Sequence, residues 1–162
     1  MNLGFPPTRT ALPQDAAPLE RDAASSASAQ ACNAGTRGRY AVLVVDDSEA
    51  VRYATTRALK QAGFHTVEAS GGAQALQLAP YVSAMVLDIH LPDVNGMEVC
   101  RLARTSEGAS RLGIVHASSV YRDAIHEATS RAAGADAFLV MPVDPSVLVA
   151  AVEAAINTRA AA

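Results

Sequence analysis

The chain has 162 residues, which is enough for one domain with its own core. Its formal net charge is -3 and its pI is about 5.7. This charge balance offers no basic surface for nucleic acid, no apolar run is long enough for a membrane helix, and Met1 to Pro7 do not resemble a secretory signal. The two cysteines, Cys32 and Cys100, stand far apart in unlike contexts. They are typical of reduced thiols in a cytoplasmic protein rather than of a disulfide framework.

Residues 1–38 are rich in alanine, serine and proline, and they contain no valine, isoleucine, tyrosine or tryptophan. Such a segment cannot bury enough apolar surface to offset the cost of ordering the chain. We therefore expect a disordered arm over 1–38, acting as an inert extension rather than as a docking segment. A disordered tail is expected over 159–162.

From Tyr40 onward, buried strands alternate with amphipathic helices. The apolar runs predict strands over 40–45, 65–69, 84–87, 114–117 and 137–140. Helical spacing predicts a first helix between Ser48 and Gly63, and further helices over 72–79, 97–104, 122–133 and 145–157. This strict alternation indicates an α/β domain in which helices cover both faces of one parallel sheet.

Carboxylates follow two of the predicted strands. The first strand leads into Asp46 and Asp47, and the third leads into Asp88. Ligands of a parallel α/β sheet gather at the carboxyl ends of the strands, so these acids are expected to form one strongly negative pocket. Such a pocket needs a cation or a proton on one acid. All-oxygen ligation suits Mg²⁺ and leaves room for a phosphate, and one acid could then be a nucleophile.

Three segments together resemble the receiver domain of two-component response regulators. They run from Val44 to Ser48, from Leu87 to Gly96 and from Gly134 to Val143, and the resemblance covers residues 39–158. It implies a flavodoxin-like, doubly wound (βα)5 fold with a five-stranded parallel sheet and helices on both faces. Residues 52–54 and 141–145 are similar to the receiver modules attached to hybrid sensor kinases.

The resemblance also implies roles for individual residues. Asp88 matches the aspartate that accepts a phosphoryl group from a sensor histidine kinase or a histidine phosphotransfer protein. Ser118 matches the hydroxyl that bonds and reports the phosphoryl group, Ser119 matches the small residue beside it, and Phe138 matches the aromatic switch. The implied Mg²⁺ ligands are Asp46, Asp47, Asp88 and the backbone carbonyl of His90.

One position departs from the family pattern. The family places a lysine before the proline that follows strand five, and this chain has Met141 there. The only lysine, Lys60, lies at the far end of the first helix; Arg122, four residues after Ser118, could reach in instead. Loss of a charge-assisted bond of roughly 1.5–3 kcal/mol would weaken the phosphorylation-driven switch about tenfold or more, while the metal acids stay intact.

We expect a receiver domain without a fused output domain, signalling by protein contact through the face formed by helix four, strand five and helix five. A phosphorylation-independent binding module is the first alternative, because Met141 replaces the lysine. An Mg²⁺-dependent phosphohydrolase is the second; it would need an acid two residues after its nucleophile, where His90 stands. Asp46 and Asp47 could also simply cap a helix, Phe138 could be plain core, and homodimer formation is left open.

Overall fold

The computed structural model describes residues 34–120 and 123–162. Five parallel strands form one sheet in the order β2-β1-β3-β4-β5, which confirms the flavodoxin-like, doubly wound fold. The strands are β1 Ala41–Val45, β2 His65–Ala69, β3 Ala84–Asp88, β4 Gly113–Ser118 and β5 Ala137–Val140. The helices are α1 Glu49–Gln61, α2 Gly72–Leu78, α3 Gly96–Thr105, α4 Ala124–Ala133 and α5 Pro145–Ala160.

Helices pack on both faces of the sheet. On one face, α2, α3 and α4 cover a core that includes Met85, Leu87 and Ile114. On the other face, α1 and α5 cover a core that includes Val42 and Val86. Because successive strand residues point to opposite faces, the three central strands are buried on both sides and consist mostly of apolar residues. The buried polar exceptions on β4 are His116 and Ser118.

The predicted boundaries hold to within a few residues. Helix α1 begins after Ser48, and Gly63 and Gly134 follow helices with the positive φ values of 101° and 105° that favour glycine. Helix α4 begins at Ala124, because the Asp123 carboxylate accepts a hydrogen bond from the His126 amide at 2.9 Å and caps the helix. Residue 122, the predicted start of this helix, lies outside the described residues. No helix in the described part of the chain has the length and apolarity needed to cross a bilayer.

The described structure extends beyond both expected ends of the domain. Arg37–Arg39 form a short 3-10 helix, and Arg37 Nε lies 2.6 Å from Glu153 Oε1 on α5. The same guanidinium lies 5.8 Å from the centre of the Phe64 ring. At the other end, α5 continues to Ala160, because Arg159 pairs with a buried acid described below. The rest of the predicted arm, residues 1–33, lies outside the described residues.

Replacing Arg37 with alanine should lower the melting temperature by roughly 4 °C. The change removes a partly buried ion pair, a bond from Nη1 to the Ala62 carbonyl at 3.2 Å and the contact with the Phe64 ring, together worth about 1 kcal/mol. Thermal unfolding followed by circular dichroism measures this, with Arg57→Ala on the exposed side of α1 as the control. Equal melting temperatures for the two variants would show that the Arg37 contacts do not stabilise the domain.

Candidate metal centre

The topology brings the three predicted acids to one edge of the sheet. Strand β1 lies between β2 and β3, so the strand order reverses at the β1–β3 pair, which is where ligands bind in such sheets. Val45 is in register with Leu87. The next residue on each strand is an acid, so Asp46 and Asp88 are neighbours, and Asp47 follows directly.

The three carboxylates form a compact oxygen cluster. One carboxylate oxygen from each of Asp46, Asp47 and Asp88 lies within 4.8 Å of the other two. Asp46 and Asp88 are half-buried and Asp47 is exposed, so the cluster opens to solvent on the Asp47 side. An all-oxygen set with few protein ligands and access for water fits Mg²⁺, which retains several waters when bound.

The electrostatics of the cluster also favour a cation. Burial raises the pKa of Asp88 to about 6; the His90 amide, 3.2 Å from Asp88 Oδ1, opposes the rise, and the charges of Asp46 and Asp47 add to it. Burial likewise raises the pKa of Asp46, against the hydrogen bond from the Ser48 amide at 2.8 Å. Two acids whose ionised forms are destabilised together would be relieved by a bound dication.

The raised pKa of Asp88 should make the metal-free protein less stable as pH rises. Between about pH 4 and 6 the folded protein holds a proton on Asp88 that the unfolded chain has lost, so stability falls through this window and remains low above it. Saturating Mg²⁺ should remove this loss at pH 7, because the ion binds the ionised acids.

Melting temperatures at pH 4.5 and 7, with EDTA or with Mg²⁺, test this expectation. The quantity to follow is the difference between wild type and Asp88→Asn, because depressed pKa values elsewhere, as at Asp93, give the opposite trend. If the metal-free melting temperatures of wild type and Asp88→Asn differ by the same amount at both pH values, Asp88 does not have a raised pKa in the folded protein.

The loop after Asp88 is fixed at both of its ends. The Asp93 carboxylate accepts hydrogen bonds from the Gly72 and Ala73 amides at 2.8 and 2.9 Å and thereby caps α2. These bonds hold the pKa of Asp93 down at about 2. At the other end, the Gly96 amide bonds to the Ile89 carbonyl at 2.9 Å. The loop therefore holds the backbone around His90 beside Asp88, while the His90 side chain is exposed.

Ser118 lies on β4, which pairs with the strand of Asp88, and Phe138 lies on β5, the next strand in the sheet. Ser118 ends β4, one residue after the register partner of Asp88, and it is 1% exposed. Its Oγ accepts a hydrogen bond from the Val120 amide at 3.3 Å, and its carbonyl accepts one from the Met141 amide at 2.9 Å. Phe138 on β5 is partly buried against the core under α2, α3 and α4.

Met141 belongs to an apolar groove. Its side chain packs on the core under α1 and α5, and the Met141–Pro142 peptide bond is cis. The groove has a volume of about 390 Å³ between α1 and the segment that joins β5 to α5. Its walls include Val51, Ala54, Pro142 and Leu148, which are all apolar. The structure thus places an apolar side chain where the resemblance expects an ammonium, and the alternative cation, Arg122, lies outside the described residues.

Sequence reasoning missed three sets of polar contacts: the capping of α2 by Asp93, the two hydrogen-bond partners of a buried histidine on β4, and, at the opposite edge of the sheet, an acid before β5 that is held by two arginines. Of these, only the Asp93 cap left a signal in the sequence. Aspartate is a common cap, but nothing local identifies a helix start 20 residues earlier as its partner.

Comparison with known proteins identifies the family. Residues 42–153 match the response regulator receiver domain. The chain belongs to this family, whose members are signalling domains of two-component systems.

The relatives agree with this assignment. The DNA-binding response regulator MtrA of Mycobacterium leprae is 32% identical over 120 residues, which span 72% of this chain and 51% of MtrA. The transcriptional regulatory protein PrrA of the same organism is 35% identical over 122 residues, with 74% and 51% covered. The chain therefore spans about half the length of these relatives. A sensor protein from Polaromonas sp. JS666 matches with a TM-score of 0.69 at 26% identity, covering 75% of this chain and 98% of the solved one.

Proposed function

We propose that this receiver domain accepts a phosphoryl group at Asp88 from a histidine kinase or a histidine phosphotransfer protein, with Mg²⁺ bound by Asp46, Asp47, Asp88 and the His90 carbonyl. The observation that carries the proposal is the cluster of three carboxylates at the point where the strand order reverses. A cytoplasmic location is the natural setting for such a partner.

In the proposed reaction, an Asp88 carboxylate oxygen attacks the phosphorus of a phosphohistidine. The new O–P bond forms as the N–P bond breaks, and the electron pair returns to the imidazole nitrogen. Mg²⁺, when bound, would offset the repulsion between the carboxylate and the phosphoryl oxygens. The His90 amide donates a hydrogen bond to Asp88 Oδ1 and so orients the attacking carboxylate. The buried Ser118 hydroxyl, at the end of the adjacent strand, would donate a hydrogen bond to a phosphoryl oxygen.

The relatives support a signalling role. MtrA and PrrA are regulators, and the Polaromonas relative is a sensor protein, which fits both a separate regulator and a module attached to a kinase. For output, the face formed by α4, β5 and α5 carries apolar side chains that are 75%, 38% and 46% exposed at Ile125, Val140 and Val147. Exposed apolar groups of this kind suit protein contact, including contact with a second copy.

The direct test is incubation with acetyl phosphate and Mg²⁺ followed by intact mass measurement. The wild-type protein should gain one phosphoryl group that is lost on treatment with hydroxylamine, and Asp88→Asn should gain none. Equal labelling of Asp88→Asn would move the acceptor to another residue.

One observation favours a second function, a phosphorylation-independent binding module. Met141 contributes to an apolar groove instead of supplying a cation. A wild-type protein that stays unlabelled by acetyl phosphate and by phosphohistidine donors would support this alternative. The phosphohydrolase has no comparable support, because the position two residues after Asp88 is an exposed histidine.

Substituting Met141 with lysine should strengthen the switch without changing the metal site. An ammonium there would contact a phosphoryl group only in the phosphorylated state, and a ligand shifts an equilibrium only through such differential contacts. Amide NMR shifts in α4 and β5 on adding beryllofluoride should be larger in Met141→Lys than in wild type, with Met141→Leu as the size-matched control. A full response in wild type that the lysine does not enlarge would show that Met141 is not limiting.

A further inference from the structure

A buried histidine joins three elements of the core. His116, in the middle of β4, is 0% exposed and is in register with Leu87 of β3 and Phe138 of β5. Its Nδ1 lies 2.5 Å from Ser130 Oγ on α4. Its Nε2 lies 3.3 Å from the carbonyl oxygen of Gly96, the first residue of α3. A single side chain therefore contacts both of the helices that flank β4 on this face.

The two contacts determine how the imidazole is protonated. A carbonyl oxygen only accepts hydrogen bonds, so Nε2 donates to Gly96, and Nδ1 of the neutral ring accepts from the Ser130 hydroxyl. Burial lowers the pKa of His116 to about 4, so the ring is neutral at pH 7 and makes one bond in each direction. Leucine has no group that could make either bond, and the asparagine side chain is shorter than that of histidine.

The Gly96 end of this connection touches the phosphoacceptor strand. The Gly96 amide bonds to the Ile89 carbonyl at 2.9 Å, and a Cβ at position 96 would lie only 2.3 Å from the Asp88 carbonyl oxygen. The backbone of Gly96 therefore packs directly on the backbone of Asp88 and Ile89. A displacement of this strand end moves the carbonyl that His116 holds.

The Ser130 end holds a lightly anchored helix. Only two of the ten residues of α4, Ser130 and Ala133, are buried. The bond from Ser130 to His116 thus involves one of the two buried residues of α4.

We propose that His116 is a positioning residue that couples the end of β3, through Gly96, to α4, through Ser130. The coupling deepens the proposed function, since it gives a chain with Met141 in place of the lysine a second connection from Asp88 to its output face. It uses neither Ser118 nor a cation.

The first test follows amide NMR shifts on addition of beryllofluoride and Mg²⁺, in two segments: 88–96 and 124–133. In wild type both segments should respond. In Ser130→Ala the 88–96 segment should respond as in wild type, while the α4 response should fall about twofold or more, the lower end of measured couplings between sites. The matched control is Thr129→Ala, which removes a neighbouring α4 hydroxyl that bonds only within the helix, to Ile125 at 2.8 Å. A full α4 response in Ser130→Ala would overturn the proposal.

The second test needs no phosphoryl chemistry. Asn95 caps α3 through the Met97 amide at 2.8 Å, so Asn95→Ala loosens the Gly96 end of the connection. Amide hydrogen exchange in α4 should quicken in Asn95→Ala, and the effect should disappear when Ser130→Ala or His116→Leu is already present, because the coupled changes are not additive. Additive effects would overturn the proposal.

The two tests also separate this proposal from the proposed function. If beryllofluoride leaves segment 88–96 of wild type unchanged, phosphoryl acceptance at Asp88 loses its support. The exchange experiment then decides the role of His116 alone.

Discussion

Replacing Asp47 with alanine is expected to abolish Mg²⁺ binding. Asp47 is the exposed member of the three-carboxylate cluster, and its removal leaves two half-buried acids to hold the ion. Losing a partner outside the coordination sphere typically costs about 10–100-fold in metal affinity, and losing a charged ligand should cost more. The metal-free variant should also melt slightly higher, because repulsion among the acids falls.

Isothermal titration calorimetry measures the affinity, and Glu49→Ala is the matched control. Glu49 is an exposed acid in the first turn of α1, two residues from Asp47. The control removes the same charge without removing a ligand, so any loss it shows reports the general field of the surface. Unchanged affinity in Asp47→Ala would mean that the ion, if bound, is held elsewhere.

Replacing Asp136 with asparagine should destabilise the domain by about 3–5 kcal/mol, the cost of breaking a buried ion pair from one side. Asp136 directly precedes β5, and its side chain is 8% exposed. Arg104 of α3 lies 2.9 Å from Oδ2, Arg159 of α5 lies 2.7 Å from Oδ1, and the Ile114 amide donates to Oδ2 at 2.8 Å. The variant leaves two guanidinium groups competing for the Gly134 carbonyl without a counter-charge.

Urea unfolding at pH 7 measures this loss, and Glu127→Gln supplies the comparison. Glu127 pairs with Arg131 on the surface of α4, where the side chains are 46% and 60% exposed. Such pairs contribute about 0–1 kcal/mol. A loss in Asp136→Asn no larger than that in Glu127→Gln would show that the Asp136 cluster does not hold α3 and α5 to the sheet.

The elements that the sequence predicted well are those set by local pattern. The central strands are buried on both faces, so they read as largely apolar runs. Residues such as Ser48 and Gly134 mark the helix ends. The cluster of three acids was predictable because parallel topology brings strand ends together. Their position follows from the register of Val45 with Leu87, the residues that precede Asp46 and Asp88, rather than from any detail of side-chain packing.

Other contacts escaped prediction because they depend on where distant segments meet. Arg104 and Asp136 are 32 residues apart, and Arg37 and Glu153 are 116 apart. His116 is fully buried, but its two partners lie on helices whose rotation about their axes no sequence periodicity specifies. The extended helix α5 has the same origin, since Arg159 gains its partner only in the folded chain.

The sparse burial of α4 has an energetic consequence for recognition. Helix α3 buries five residues and α5 buries five residues against the cores on the two faces of the sheet, whereas α4 buries only Ser130 and Ala133. Local opening of a segment costs less free energy when few buried contacts are lost, so we expect α4 to open more readily than α3 or α5. A partner that binds only the state with α4 displaced would lose affinity in proportion to the rarity of that state. Because the opening costs little free energy, this loss would be small and the partner would retain most of its intrinsic binding free energy.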